Sequence, residues 1–119
     1  MTSLKEKVLQ YYSLVDSRSF DELFKLFADN IVYLRCEEKI EGINNFKKFY
    51  LKERSIVGKH NLEEVHILPK GVLTKGIFKG ENEKKDKLVL KFVDFFYFDA
   101  QGKICKRETY LASGFNLTK

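Results

Sequence analysis

The stretch FVDFFYFDAQGKI, residues 92–104, decides the fold, because it joins a long hydrophobic strand to a turn and then to the next strand. Residues 87–98 alternate as strand residues do, and DAQG, residues 99–102, has the composition of a turn. Asp94 shares its face of the strand with Phe92 and other large apolar side chains. A carboxyl group there must find a donor or stay protonated. Asp94 is therefore a candidate functional residue, with a purely structural, hydrogen-bonded acid as the alternative.

Three more segments with strand periodicity surround this one. HNLEEVHIL (60–68) and VLTKGIFKG (72–80) precede it, and KICKRETYLASGF (103–115) follows it. Turn residues separate each segment from the next, a pattern typical of hairpins. The second half of the chain is therefore predicted to be an antiparallel meander of long strands.

The first half of the chain has helical periodicity instead. Apolar residues recur at helical spacing in residues 3–17, in FDELFKLFA (20–28) and in EGINNFKKFYLKE (41–53), while IVYL (31–34) predicts a short strand. Helices followed by sequential hairpins indicate an α+β fold, in which the helices cover one face of a curved antiparallel sheet. A chain of 119 residues is long enough for one core, so we expect a single domain over its whole length.

The composition, 44% hydrophobic and 33% charged, is that of an ordinary globular protein. Its net charge of +5 raises the question of nucleic acid, but basic and acidic residues are interleaved, so we expect no nucleic-acid partner. No segment approaches an apolar run of about eighteen residues, which argues against a membrane span. Cys36 and Cys105 lie far apart and have no CxxC partner, which favours free thiols and a cytoplasmic location.

Several segments resemble one known group of proteins. VDFFYFDAQGKICKRETY (93–110) resembles the strand, turn and strand near the end of bacterial ketosteroid isomerases. YYSLVD (11–16), LFADNIVY (26–33) and IEGINNFKKFY (40–50) resemble earlier parts of the same proteins, in the same order. The chain is thus similar to the nuclear transport factor 2-like superfamily, which includes SnoaL-like cyclases, ketosteroid isomerases and limonene epoxide hydrolases. This resemblance implies a cone-shaped, cystatin-like roll around three helices, with a deep apolar pocket.

The resemblance also implies a site. Asp94 matches the acid that ketosteroid isomerases keep protonated by apolar surroundings, and Tyr11 matches their tyrosine. Both groups donate hydrogen bonds to a developing oxyanion in those enzymes. Phe27, Phe49 and Phe92 are the candidate apolar residues of the pocket.

Arg35 stands where those isomerases carry the aspartate that moves a proton between carbons. A guanidinium group cannot act as that base, so ketosteroid isomerisation is not expected. Glu37, Glu38 and His60 are the nearest candidates for a replacement base. Arg35 itself is a candidate to bind a carboxylate or enolate of a substrate, or to form an ion pair with Asp94.

Two functions stay open. The first is an isomerase-, cyclase- or hydrolase-like enzyme that acts on a small hydrophobic carbonyl compound by acid–base chemistry, with Tyr11, Asp94 and His60 as catalytic residues. The second is a non-catalytic ligand-binding or dimerisation module of the same fold. Neither function calls for a cofactor. We also expect no metal site, because His60 and His66 lie about 20 Å apart along an extended strand.

A homodimer is expected in either case. Val93, Phe95 and Tyr97 alternate with Asp94 and therefore lie on the face of the sheet away from the helices. An aromatic patch of this kind would be bare on a monomer. The resemblance also implies dimers in which two sheets pack back to back.

Overall fold

A computed structural model describes residues 3–54 and 56–112 of the chain. Helices and strands fill most of both ranges. In chain order they are α1 (Leu4–Asp16), α2 (Phe20–Phe24), β1 (Phe27–Arg35), β2 (Glu38–Glu41), α3 (Ile43–Lys48), a π-helical turn (Phe49–Glu53), β3 (Val57–Leu68), β4 (Gly71–Glu81), β5 (Lys87–Phe98) and β6 (Ile104–Ala112). The last three residues of the predicted closing strand, 113–115, lie outside the described residues.

The strands form one curved, mixed sheet in the order β2-β1-β6-β5-β4-β3. The predicted α+β cone is confirmed, but the expectation of a wholly antiparallel sheet is wrong at one place. β6 pairs antiparallel with β5, its hairpin partner, and parallel with β1. Turn residues predict only the pairing of strands that are consecutive in sequence. They could not predict the parallel pairing of β6 with β1.

The first helix agrees with its prediction. Ser3 caps α1, since its hydroxyl oxygen accepts a hydrogen bond from the backbone N–H of Glu6 at 3.1 Å. The apolar stripe of α1 packs against β3 and β4 and buries Tyr11. Tyr12 is buried as well, although the stripe did not include it.

The other two helices are shorter than predicted. The predicted helix over 20–28 ends at Phe24, because Phe27 already pairs with Ile104 in the sheet and the Ile104 N–H donates to the Leu26 carbonyl at 2.9 Å. The predicted helix over 41–53 is α at its start and π-helical from Phe49 onward, where the hydrogen bonds span five residues.

The alternation predicted for β5 is confirmed. Phe92, Asp94 and Phe96 are buried on the helix side of the sheet, whereas Val93 and Phe95 are only half-buried on the other side. The hydrophobic core lies between the helices and this inner face of the sheet. None of the helices in the described ranges combines the length and the apolar composition that a membrane crossing requires.

Candidate functional site

One cavity opens between the inner face of the sheet, α1 and the π-helical turn. Its volume is about 50 Å³, counted as the space open to the centres of water-sized molecules. A cavity of this size suits a small group, and a larger ligand would extend out of it. The lining residues are Tyr11, Tyr33, Arg35, Tyr50, Arg54, Ile56, His60, Phe78, Leu90, Phe92, Asp94, Arg107, Thr109 and Leu111.

Arg107 lies at the centre of the polar part of this cavity. It is on β6, beside β5, and its side chain is almost completely buried. One guanidinium nitrogen, Nη2, donates to Asp94 Oδ2 at 3.1 Å. The other, Nη1, donates to the Tyr50 hydroxyl at 2.9 Å and to the Tyr11 hydroxyl. The guanidinium also lies 4.6 Å from the centre of the Tyr33 ring, so aromatic faces enclose the charge.

Asp94 accepts hydrogen bonds from three side chains. Thr109 Oγ1 donates to Oδ1 at 2.5 Å, and Tyr12 and Arg107 donate to Oδ2. Every contact supplies a hydrogen to the carboxyl oxygens, and the cation that pairs with them is Arg107 rather than Arg35. This arrangement fits an acceptor that holds Arg107 in place, and not the protonated oxyanion donor that the resemblance implies.

The hydroxyl groups of Tyr11 and Tyr50 form a pair at 2.5 Å. Each oxygen already accepts a hydrogen from Arg107, so the two hydroxyl protons are left to serve as donors. One of them forms the bond within the pair. The second has no acceptor among the contacts of the described residues, which leaves one spare O–H donor at the wall of the cavity.

Three tyrosines at the site, Tyr11, Tyr12 and Tyr33, are held in the neutral form. Burial raises the pKa of Tyr11 well above its usual value, and the attraction of Arg107 lowers it only in part. Burial and the Asp94 carboxylate together raise the pKa of Tyr12, and burial raises the pKa of Tyr33 to about 12. Burial lowers the pKa of Arg107, but the interactions with Asp94 and with Tyr11, Tyr33 and Tyr50 together outweigh it, so the pKa rises overall. The site therefore keeps neutral phenols beside a permanent cation.

His60 lies on β3 at another wall of the cavity and is bound to Asp16, the last residue of α1. Its Nδ1 lies 2.5 Å from Asp16 Oδ1, and its backbone N–H donates to Asp16 Oδ2 at 2.9 Å. The carboxylate favours the tautomer with hydrogen on Nδ1, which leaves the lone pair on Nε2. Asp16 thus orients the ring of His60 and engages its Nδ1 rather than its Nε2.

Some of the other predicted site residues line the cavity, and others do not. Arg35 and Phe92 line the cavity, as does His60. Phe27 and Phe49 were expected to line it but do not: Phe27 packs in the core at 4.4 Å from the ring of Phe46, and the ring of Phe49 carries the Arg35 guanidinium at 5.5 Å.

Glu37 and Glu38 lie at the surface. Both are exposed near the turn between β1 and β2, and neither is among the residues that line the cavity. They are poorly placed to replace the missing base. Within residues 3–54 and 56–112, no group of three His, Cys, Asp or Glu side chains could hold a metal ion.

Sequence reasoning missed Arg107 altogether. The pair Lys106 and Arg107 has the appearance of a solvated basic patch. The alternation of side chains along β6 could have placed it, because Arg107, Thr109 and Leu111 share one side of that strand. Thr109 lies opposite Asp94 in the register, so this side is the inner face of the sheet. Placing Arg107 on the inner face would have required knowing that register.

No protein-family model matches the chain, and no curated protein sequence matches it. Solved structures do match, with identities too low to show more than the fold. A protein from Shewanella denitrificans assigned as a SnoaL-like polyketide cyclase superposes with a TM-score of 0.82 at 13% identity, covering 91% of this chain and 89% of that one.

Two further structures agree. An NTF2-like protein of unknown function from Exiguobacterium superposes with a TM-score of 0.79 at 20% identity, covering 91% of this chain and 99% of that one. An LEH-like epoxide hydrolase from M. tuberculosis superposes with a TM-score of 0.78 at 15% identity, covering 88% of this chain and 79% of that one. The fold of this chain is therefore that of the nuclear transport factor 2-like superfamily, as the resemblance implied.

Proposed function

We propose that the chain is a small-molecule enzyme that uses this cavity for acid–base chemistry at a carbonyl group. The observation that carries the proposal is the spare hydroxyl donor of the Tyr11–Tyr50 pair, which lies beside the Arg107 cation. A donor without an acceptor, next to a buried positive charge, is suited to a carbonyl oxygen that becomes an oxyanion.

The second requirement of such chemistry is a base in the same cavity. In the proposed reaction, His60 Nε2 removes a proton from the carbon next to the carbonyl group, and the electron pair moves onto the carbonyl oxygen. That oxygen accepts the spare hydrogen bond, and Asp16 stabilises the imidazolium that has formed. In a substrate with a double bond between its β- and γ-carbons, return of the proton from the imidazolium to the γ-carbon moves the double bond and completes an isomerisation. Attack by the enolate carbon on a second carbonyl group of the substrate, whose oxygen then takes the proton from the imidazolium, completes a cyclisation.

Asp94 has a supporting part in this mechanism. It holds Arg107 and Tyr12 in position, so we assign it as a positioning residue, and we assign the Tyr11–Tyr50 pair and His60 as the catalytic groups. The apolar wall, which includes Phe92 and Leu90, excludes water from the enolate. Relatives in fold that are assigned as a cyclase and an epoxide hydrolase support the choice of a small-molecule reaction, although they show only the fold.

Exchange of hydrogen for deuterium next to a ketone tests the proposal. Acetone, cyclopentanone and cyclohexanone are incubated with the protein in D₂O, and loss of the α-proton signal is followed by NMR. The wild-type protein is expected to accelerate exchange of at least one ketone. His60→Gln is expected to lower that acceleration by about 100-fold or more, because general-base catalysis contributes about 10²–10⁴-fold. The double variant Tyr11→Phe Tyr50→Phe is expected to lower it as well, since it removes both hydroxyls of the pair and with them the spare donor to the oxyanion.

His66→Gln is the matched control. His66 also has an acidic partner, Glu64 at 2.9 Å, but the pair is exposed at the surface and away from the cavity. This variant should exchange like the wild type. An unaccelerated wild type, or equal rates for wild type and His60→Gln, would show that the base has been assigned wrongly.

A non-catalytic ligand-binding module is the second candidate. The small volume of the cavity and the three hydrogen bonds that already satisfy Asp94 favour it. Ketones that bind, as seen by shifts of protein NMR signals, yet show no accelerated exchange would support this alternative. A cytoplasmic location, suggested by the free thiols Cys36 and Cys105, and a homodimer belong to either proposal.

A further inference from the structure

We propose that the substrate carries a carboxylate in addition to its carbonyl group, and that Arg35 and Arg54 bind this carboxylate at the outer part of the cavity. The inference rests on the proposed function for the reacting carbonyl. It adds the chemical class of the substrate, which is a small oxo acid rather than a neutral ketone.

The charges that line the cavity do not balance. Its lining includes three guanidinium groups, those of Arg35, Arg54 and Arg107, and one carboxylate, that of Asp94. Arg107 already uses this carboxylate at 3.1 Å. Both other arginines line the cavity, and among the side chains the structure describes neither Arg35 nor Arg54 has an acidic partner within 4 Å.

Aromatic rings hold these two arginines in place. The Arg35 guanidinium lies 5.5 Å from the ring centre of Phe49, and that of Arg54 lies 5.7 Å from Tyr50. The two rings are themselves neighbours, with centres 5.2 Å apart. Arg54 Nη1 also donates to the carbonyl of Ile56 at 3.2 Å. Planar groups fixed in this way lose little entropy when they bind a carboxylate through paired N–H donors.

The inner part of the cavity also has more donors than acceptors. Arg107 Nε is buried and has no hydrogen-bond partner among the described residues. The Tyr11–Tyr50 pair has its spare hydroxyl proton. A ligand without acceptor oxygens would leave these donors unsatisfied, which is costly for buried groups. Donors in both the inner and the outer part therefore favour a ligand with oxygens at two separate positions.

The wall between the polar groups is apolar. Such a wall favours a short hydrocarbon body between the carbonyl group and the carboxylate. The guanidinium groups of Arg35 and Arg54 would repel a cationic ligand, so the cavity disfavours one. The apolar lining residues are Ile56, Phe78, Leu90, Phe92 and Leu111.

A matched pair of ligands tests the inference without turnover. 4-Oxopentanoate and its methyl ester share a ketone and a similar size, but only the first is charged. Each is titrated into ¹⁵N-labelled protein, and the dissociation constant is read from shifts of the amide signals. The acid is expected to bind at least tenfold more tightly than the ester, and 0.5 M NaCl is expected to weaken binding of the acid alone.

Variants of the two arginines test whether they bind the carboxylate. The double variant Arg35→Gln Arg54→Gln is expected to bind the acid at least tenfold more weakly and the ester within about twofold of the wild type. Arg18→Gln is the matched control, because Arg18 also lies over an aromatic ring, 5.0 Å from Phe20, but away from the cavity. It should bind both ligands like the wild type. The double variant Arg35→Lys Arg54→Lys keeps both charges and should recover part of the affinity.

Three results would overturn the inference: equal binding of acid and ester, no binding of either, or no effect of the glutamine substitutions in a protein whose thermal unfolding is unchanged. The proposed function fails differently. Tight, arginine-dependent binding of the acid without accelerated exchange at its ketone would leave the carboxylate site standing and remove the catalytic assignment.

Discussion

Arg107 is an arginine in the middle of a hydrophobic core, and its surroundings explain how the fold tolerates it. Asp94 neutralises its charge, the hydroxyls of Tyr11 and Tyr50 accept its hydrogens, and aromatic rings cover its faces. A buried ion pair of this kind contributes little net stability, because desolvation offsets the attraction. Its value lies in fixing a cation and two phenols against the cavity wall.

Breaking this pair should be far costlier than its net contribution. Asp94→Ala leaves Arg107 buried without a counterion, so the free energy of unfolding is expected to fall by about 3–5 kcal/mol. Arg107→Leu should cost a similar amount, and the double variant less than the sum of the two. Urea denaturation of the wild type and the three variants measures this coupling.

A partly exposed ion pair on β6, the strand of Arg107, provides the control. Lys106 and Glu108 are 3.5 Å apart at the surface, and Lys106→Ala should change the free energy of unfolding by no more than about 1 kcal/mol. Strictly additive losses in the Asp94 and Arg107 variants would show that the two residues do not act as a pair.

Alkaline pH should destabilise the protein through its buried tyrosines. The pKa of Tyr33 is about 12 in the folded chain and about 10 in an unfolded one. Stability linked to this raised pKa is fully present below pH 10 and is lost as pH rises from about 10 towards 12. The urea midpoint should therefore fall across that window, and less so in Tyr33→Phe. A midpoint that stays constant up to pH 12 in the wild type would contradict the raised pKa.

For the helices and strands, the spacing of apolar residues predicted the local structure, but it did not predict which distant strands pair. The stripe of α1 and the alternation of β5 followed from the spacing of apolar residues, because each pattern records one buried face. β2 and the early start of β1 left no such pattern, since pairing with β6 determines where β1 begins. The π-helical turn was also unpredictable, because one extra residue in a turn barely alters the spacing.

The residues of the candidate site that have a local signal in the sequence could be predicted, and those that depend on distant partners could not. Asp94 stood out as an acid within an apolar strand, and the resemblance singled out Tyr11. Arg107 and Asp16 act through partners distant in sequence, at separations of 13 and 44 residues from Asp94 and His60. Only the register of the sheet and the packing of α1 bring these groups together.

Gly76 allows β3, β4 and β5 to approach one another beside Phe92, a residue that lines the cavity. It is buried opposite the bulge in β3, and a Cβ atom there would lie 2.4 Å from the Asn61 carbonyl oxygen and 3.0 Å from the Phe92 ring. Gly76→Ala should therefore lower the free energy of unfolding by about 1–3 kcal/mol, as overpacked core positions do. Urea denaturation measures the change. Lys75→Ala, one residue away on the exposed face, should be close to neutral, and a neutral Gly76→Ala would mean that the strands can separate at little cost.

The outer face of the sheet has exposed apolar residues that bear on the oligomeric state of the molecule. Val89 is 64% exposed and Tyr110 53% exposed, and the rings of Phe95 and Tyr97 stack on the same face. We expect this face to form a homodimer, seen as a dimer in sedimentation at micromolar concentration. Phe95→Lys should yield a monomer, because it places a charge in the interface.

Leu51→Lys is the control for the dimer. Leu51 is also an exposed apolar residue, at 58%, but it lies on the π-helical turn rather than on the sheet. This variant should sediment like the wild type. A wild-type protein that is monomeric at micromolar concentration would contradict the expected dimer.

The position of β6 has a consequence for synthesis of the chain. A ribosome that has released residues 1–98 has supplied β1 and β5, but not the strand that lies between them. Until β6 emerges, each of those strands has an open edge, and open edges attract other polypeptides. A chain cut short before residue 104 also lacks Arg107, so one late segment supplies both the closure of the sheet and the charge at the cavity. A chain truncated before β6 is therefore expected to form neither the complete sheet nor the polar part of the cavity.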